Sequence, residues 1–285
     1  GEGLRLLANQ RGTEAAAQVK IHTKYVPDYD GLTDLSPADI RRIITRSCQR
    51  LGRDRLDLVQ FYWWDLSIGD PLSAWHTLRN LRDKGKILHL GCTNWDETQM
   101  SAFVGDAQDL VSAQVQYSLL DARPSGVFSE WCHAHQVKIF CYGVLAGGFL
   151  TSRWFGEPDP GFQFDNRSLI KYRLIIEDFG GWLLFQQLLT VLSDIATESG
   201  CTLSTVAMRY MLDQPEVAAV IIGARTASNL KNTLSVFDLV LGPDHRQRIE
   251  NVLAQRTGPK GSVYELERDR SGPHGKIMKY NLNAE

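Results

Sequence analysis

The decapeptide LDLVQFYWWD, Leu56 to Asp65, joins an apolar run of strand length to aromatics with polar tips and an acid. Leu56, Leu58, Val59 and Phe61 show no polar alternation, which is how a strand covered on both faces reads. Tyr62, Trp63, Trp64 and Asp65 then stand at its carboxyl end, which faces the catalytic mouth when strands and helices alternate in a barrel. A phenol there can give a proton or clamp an oxygen. The indoles of Trp63 and Trp64, with Trp95 after a later strand, either wall a pocket or plug the core. Two further stretches suit phosphate. Gly143 to Leu150, GVLAGGFL, has small residues that let backbone N–H groups approach an anion. Gly223-Ala224-Arg225-Thr226 opens a helix, where a guanidinium and the helix dipole favour a phosphate monoester. His133 and His135 lie two apart on a predicted helix and point to different faces, so they make no metal pair.

Composition narrows the classes. The chain has 285 residues, 43% of them hydrophobic, enough for one large core without staples. A net charge of −2 gives no electrostatic reason to expect nucleic acid or an anionic membrane. No apolar run approaches the roughly 20 residues of a membrane helix. The five cysteines, Cys48, Cys92, Cys132, Cys141 and Cys201, include no Cys-x-x-Cys pair and read as thiols of a reducing cytoplasm.

Along the chain, strands are predicted at Val19–Tyr25, Leu56–Asp65, Ile87–Cys92, Leu110–Gln116, Val137–Tyr142 and Val217–Ile222, each followed by a helical segment. Ser36-Pro37-Ala38-Asp39 caps a helix that Gly52 ends. The segment Thr151–Phe179 mixes Gly, Pro and aromatics and has the length of a lid, an insertion spanning 151–180 in a domain over 1–255. The tail 256–285 has no clean period and either folds across the mouth or stays disordered. Strict alternation argues a parallel sheet with right-handed crossovers. A doubly wound dinucleotide sheet normally carries Gly-x-Gly-x-x-Gly after its first strand, and that motif is absent. The expectation is a (β/α)8 barrel two strands short, the missing pair preceding Gly1.

The chain resembles an aldo-keto reductase. The segments IHTK, LDLVQFYWWD, GKILHLGCTNWD, AQVQYSLLD, FCYGVLAGGFL and VIIGARTASNLKNTL carry the resemblance, in that order and each at a strand's carboxyl end. It implies an α/β barrel and reduction of a small-molecule aldehyde or ketone with NADP(H). It also implies chemistry by an Asp, a Tyr, a Lys and a His. Lys24 matches the Lys. Tyr62 stands where the family has His, and the Asp and Tyr belong to a segment that ends near Gly1. The tetrad is therefore degraded in these residues. Tyr62 either takes up the chemistry beside Lys24, whose charge lowers a phenol's pKa, or only fills the histidine's volume.

Cofactor contacts follow from the same resemblance. Thr93, Asn94 and Gln114 match residues that hold the nicotinamide carboxamide, an amide needing both a donor and an acceptor. Tyr142 matches the ring stacked on the nicotinamide. Gly143, Val144, Leu145, Gly147, Gly148 and Leu150 match the loop under the pyrophosphate. Gly223, Ala224 and Arg225 match the adenosine 2′-phosphate site, which favours NADP(H), with Ser228 and Asn229 beside it. Asn232 and Thr233 stand where the family often has Glu-Asn, so the adenine contacts differ. Trp63, Trp64 and Trp95 either wall the substrate pocket or pack the barrel mouth. The resemblance leaves two alternatives open: a non-catalytic NADPH-binding scaffold, and a fragment unable to fold alone. Oligomeric state and substrate are not legible.

Overall fold

The computed structural model describes residues 2–104, 109–224, 227, 229–281 and 283. Two compact units divide the chain. The first comprises Gly1–Ala113, His135–Val137 and Lys279–Glu285; the second comprises Gln114–Ala134 and Lys138–Met278.

The first unit runs α1 (Glu2–Arg11), α2 (Thr13–Gln18), β1 (His22–Tyr25), α3 (Pro37–Leu51), β2 (Leu56–Phe61), α4 (Pro71–Asp83), β3 (Ile87–Thr93), α5 (Glu97–Val104) and the start of β4 (Leu110–Gln116). Helix α3 forms where its caps predict. Ser36 Oγ accepts the Asp39 N–H, the Asp39 carboxylate accepts the Ser36 N–H, and Gly52 closes the helix at φ 65°. Ile40, Ile44 and Cys48 are its buried stripe.

Strand register decides which side chains share a face. β1 pairs parallel with β2, Lys24 opposite Gln60 and Tyr25 opposite Phe61. Side chains alternate along a strand, so Lys24 and Gln60 share one face, and Tyr25, Val59 and Phe61 the other. The second face is an aromatic core: Phe61 lies 5.8 Å from Trp75 of α4 and 5.2 Å from Trp95, centroid to centroid. On the first face Gln60 Nε2 donates to Ser112 Oγ of β4 at 3.0 Å. Gly91 makes room for that bond. A Cβ at Gly91 would lie 2.4 Å from Gln60 Oε1 and 2.5 Å from Ser112 Oγ.

The second unit holds the end of β4, then α6 (Val127–Ala134), β5 (Lys138–Tyr142), α7 (Arg167–Phe179), α8 (Gly181–Glu198), α9 (Leu203–Leu212), β6 (Val217–Val220), α10 (Leu230–Leu234), α11 (Pro243–Leu253), α12 (Glu265–Arg268) and α13 (Pro273–Lys276). β5 pairs parallel with β6, Cys141 opposite Val220. Among the described residues six strands are ordered β1-β2-β3-β4-β5-β6; a complete (β/α)8 barrel has eight.

Helix α6 starts at Val127, after Gly126 turns the chain at φ 70°. After β6, among the described residues, come α10 and one 3-10 turn, Ser235–Phe237. Within Thr151–Phe179 the structure has α7, capped by the Asn166 side chain and buried through Tyr172, Ile175, Ile176 and Phe179. The residues before α7 are pinned by an aromatic cluster, with Phe149 4.8 Å from Trp154 and 6.2 Å from Phe185. Trp182 Nε1 donates to the Glu157 carbonyl at 2.9 Å, and Arg173 bonds both Asp159 and Glu177. The tail, read as lacking a period, carries α12 and α13. Among the described residues no helix is long and apolar enough to cross a membrane.

Candidate functional site

The first unit gathers one group of the predicted residues. Lys24, exposed at the end of β1, has its pKa lowered by desolvation from its packed surroundings. Tyr62, one residue past β2, is 3% exposed, and its N–H donates to the Tyr25 carbonyl at 3.1 Å. Trp63 is buried with its indole N–H on the Ile68 carbonyl at 2.9 Å. Trp64 is half-buried, donates to the Pro27 carbonyl at 2.7 Å, and meets Tyr62 edge-on at 5.0 Å. Trp95 is buried between Phe61 and Phe103, with centroids at 5.2 and 4.8 Å.

The tail joins this group. Tyr280 sits 5.0 Å from Trp64, and its carbonyl accepts the Tyr29 N–H. Asn281 and Asn283 bond Asp30 and Asp28, which fastens the chain's last described residues to the loop after β1. Thr93 ends β3, buried, and Asn94 follows at φ 59°, a left-handed conformation that Asn tolerates. Asp96 then caps α5 by accepting the Gln99 N–H at 2.8 Å.

The second unit holds the rest. Gln114 is buried on β4. Tyr142 ends β5, and its carbonyl accepts the Tyr117 N–H. Gly143, Ala146, Gly147 and Gly148 all take positive φ, so the loop after β5 is a run of left-handed turns. Its glycines serve two purposes. A Cβ at Gly143 would lie 2.5 Å from Tyr172 Oη, and one at Gly147 would lie 2.7 Å from Tyr172 Cδ2. The Tyr172 ring of α7 thus fills the space a side chain would take at those two positions. At Gly148 and Gly223 a Cβ would meet no heavy atom within 4 Å, so their backbone is open to a ligand. Val144 and Leu150 are buried and Leu145 is half-buried. Ala224 is exposed. Asn229 precedes α10, the Asn232 carbonyl accepts from Thr205 Oγ1 at 3.2 Å, and Thr233 is half-buried. Arg225 and Ser228 lie outside the described residues.

Sequence reasoning missed a buried charged cluster beside Tyr142. Arg123 donates to both Asp121 oxygens and to both Glu267 oxygens at 2.7–3.0 Å. All three side chains are at most 2% exposed. Lys171 of α7 lies 4.0 Å from Glu267 and over the ring of Tyr142, 5.1 Å from its centroid. Tyr172 and Tyr264 flank the same ammonium at 5.7 and 5.9 Å. Burial opposes the charge of Glu267 most strongly. The hydrogen bonds and charge of Arg123, with the charge of Lys171, outweigh it and hold the carboxyl at about 2.

Comparison with known proteins decides the family. The model of the aldo/keto reductase family matches residues 3–254. The chain belongs to the aldo/keto reductase family. It is 27% identical over 177 residues to flagellar radial spoke protein 5 of Chlamydomonas reinhardtii, covering 55% of this chain and 33% of that protein. It is 23% identical over 219 residues to the NADH-specific methylglyoxal reductase of Escherichia coli, covering 73% of this chain and 62% of that one. The chain thus spans less than two thirds of either relative's length. The glycerol dehydrogenase of Gluconobacter oxydans superposes with a TM-score of 0.71 at 23% identity, over 90% of this chain and 78% of that one. That likeness establishes the fold, the α/β architecture of aldo-keto reductases.

Residue types that suit a nicotinamide dinucleotide occur in each unit: the Asn94 amide in the first; the Gln114 amide, the Tyr142 ring and the backbone of Gly148 and Gly223, where a Cβ would meet nothing within 4 Å, in the second.

Proposed function

We propose that this aldo/keto reductase reduces aldehydes or ketones with NADP(H). The observation that carries the reading is the register of β1 and β2, which sets Lys24 opposite Gln60, with Tyr62 following just past the end of β2. When bound, the nicotinamide supplies a hydride to the carbonyl carbon. Tyr62 gives its phenolic proton to the carbonyl oxygen, and the positive charge of Lys24 eases loss of that proton. Thr93, Asn94 and Gln114 hold the carboxamide, Tyr142 holds the ring, and Gly148 with Gly223 admits phosphate oxygens. Trp64 borders the substrate. The preference for NADPH over NADH rests on Arg225 and Ser228. The Escherichia coli relative is NADH-specific by name, so both cofactors belong in the test. The cytoplasmic reading rests on five cysteines that form no disulfide.

A second reading has its own support. Tyr62 replaces the family's His, and one relative bears the name of a flagellar spoke protein. In that reading the chain binds NADPH without turning it over and acts as a scaffold.

Titration of the protein with NADPH, followed by quenching of its seven tryptophans, tests the shared premise of both readings. Saturable binding is expected, weakened about tenfold or more by Asn94→Ala and Tyr142→Ala through loss of an amide pair and of a stacking face. Absence of saturable binding in the wild-type protein defeats both.

A further inference from the structure

Lys171 is a half-buried cation that the proposed reaction does not use. Its side chain is 15% exposed, on a helix whose next residue, Tyr172, lies on the glycine loop. Its ammonium stands over the Tyr142 ring at 5.1 Å, close enough for a cation–π contact. Two further phenol rings, Tyr172 and Tyr264, complete an aromatic surround. The charges facing it are Glu267 at 4.0 Å and, through Glu267, the Arg123–Asp121 pair. Both Glu267 oxygens are already engaged by Arg123. Lys171 thus sets a positive charge over the Tyr142 ring, tempered by Glu267.

From this geometry we infer that Lys171 makes the Tyr142 face discriminate between the two oxidation states of the nicotinamide, favouring the reduced ring. The inference rests on the proposed stacking at Tyr142. An aromatic face attracts cations through its negative quadrupole, and a cation already on the ring consumes that attraction. The oxidised nicotinamide carries a positive charge and the reduced one does not. With Lys171 charged, the oxidised ring meets both a weakened face and direct repulsion, while the neutral ring keeps its stacking. Lys171 thus acts as a specificity-determining residue through Tyr142. Burial lowers its pKa, with Glu267 opposing that shift.

The quantity to measure is the ratio of dissociation constants, NADP+ over NADPH, by tryptophan quenching. Two unit charges across one ring at an effective dielectric of about 20, partly offset by Glu267, give an expected fall of roughly three- to tenfold in that ratio for Lys171→Met. Lys171→Gln should behave like Lys171→Met, and Lys171→Arg should restore the wild-type ratio. General loosening of the fold would weaken both ligands together and leave the ratio unmoved. An unchanged ratio in both neutral variants, with both nucleotides still bound, overturns the inference and leaves the proposed function standing. If the wild-type protein binds neither nucleotide, the proposed function itself fails and takes this inference with it.

Discussion

Arg123→Ala lowers the unfolding free energy by about 3–5 kcal/mol. The guanidinium bonds both Asp121 and Glu267, meeting each carboxylate through two N–H groups. Both carboxylates are 0% exposed, so truncation strands two negative charges where water cannot reach them. The long side chain of Lys171, 4.0 Å away, compensates only part of one charge. Urea unfolding of the wild type and the variant measures the difference. A loss under about 1 kcal/mol would mean that the cluster is hydrated and contributes no more than a surface pair.

The same cluster predicts an acid dependence. Glu267 has a folded pKa held down at about 2, against an ordinary value of 4.5. A depressed folded pKa contributes stability that is fully present above the unfolded value and is lost as pH falls through the folded one. Stability of the wild type should therefore decline between about pH 4.5 and 2, and Glu267→Gln should flatten that decline.

Tyr62→Phe cuts aldehyde turnover by about 10²- to 10⁴-fold, the usual weight of a positioned general acid, while NADPH affinity changes little. The substitution removes one oxygen and keeps the ring that meets Trp64 at 5.0 Å, so packing is preserved. Lys24→Met should lower turnover as well, since the phenol loses the charge that stabilises its anion. Measuring kcat and KM together separates the two roles open to Tyr62. If Tyr62→Phe turns over aldehydes at the wild-type rate, the residue only fills space.

How much was legible in the sequence differed by residue, for physical reasons. Helix α3 announced both its ends, because Ser36, Pro37, Asp39 and Gly52 act locally. The β2 run Leu56–Phe61 was legible because burial on both faces leaves no polar alternation. Helix α7 was not, although Asn166 caps it and Tyr172, Ile175, Ile176 and Phe179 follow its period. Glycines, prolines and aromatics on either side drew attention away from that stripe. The Arg123–Glu267 pair was beyond reach, since its partners are 144 residues apart and nothing local marks them. The glycine loop was half legible. Small residues at Gly143 and Gly147 suggested room for phosphate, whereas Tyr172 takes that room and leaves Gly148 open. A glycine needed for close approach by a phenol looks identical, in sequence, to one needed for close approach by a phosphate.

Incubation with NADPH deuterated at the transferable C4 position, across a panel of aldehydes, shows whether hydride is transferred. At least one aldehyde is expected to yield an alcohol carrying deuterium on its carbinol carbon, with NADP+ formed in equal amount. NADPH that binds saturably and is recovered unoxidised with every aldehyde would contradict the proposed reduction.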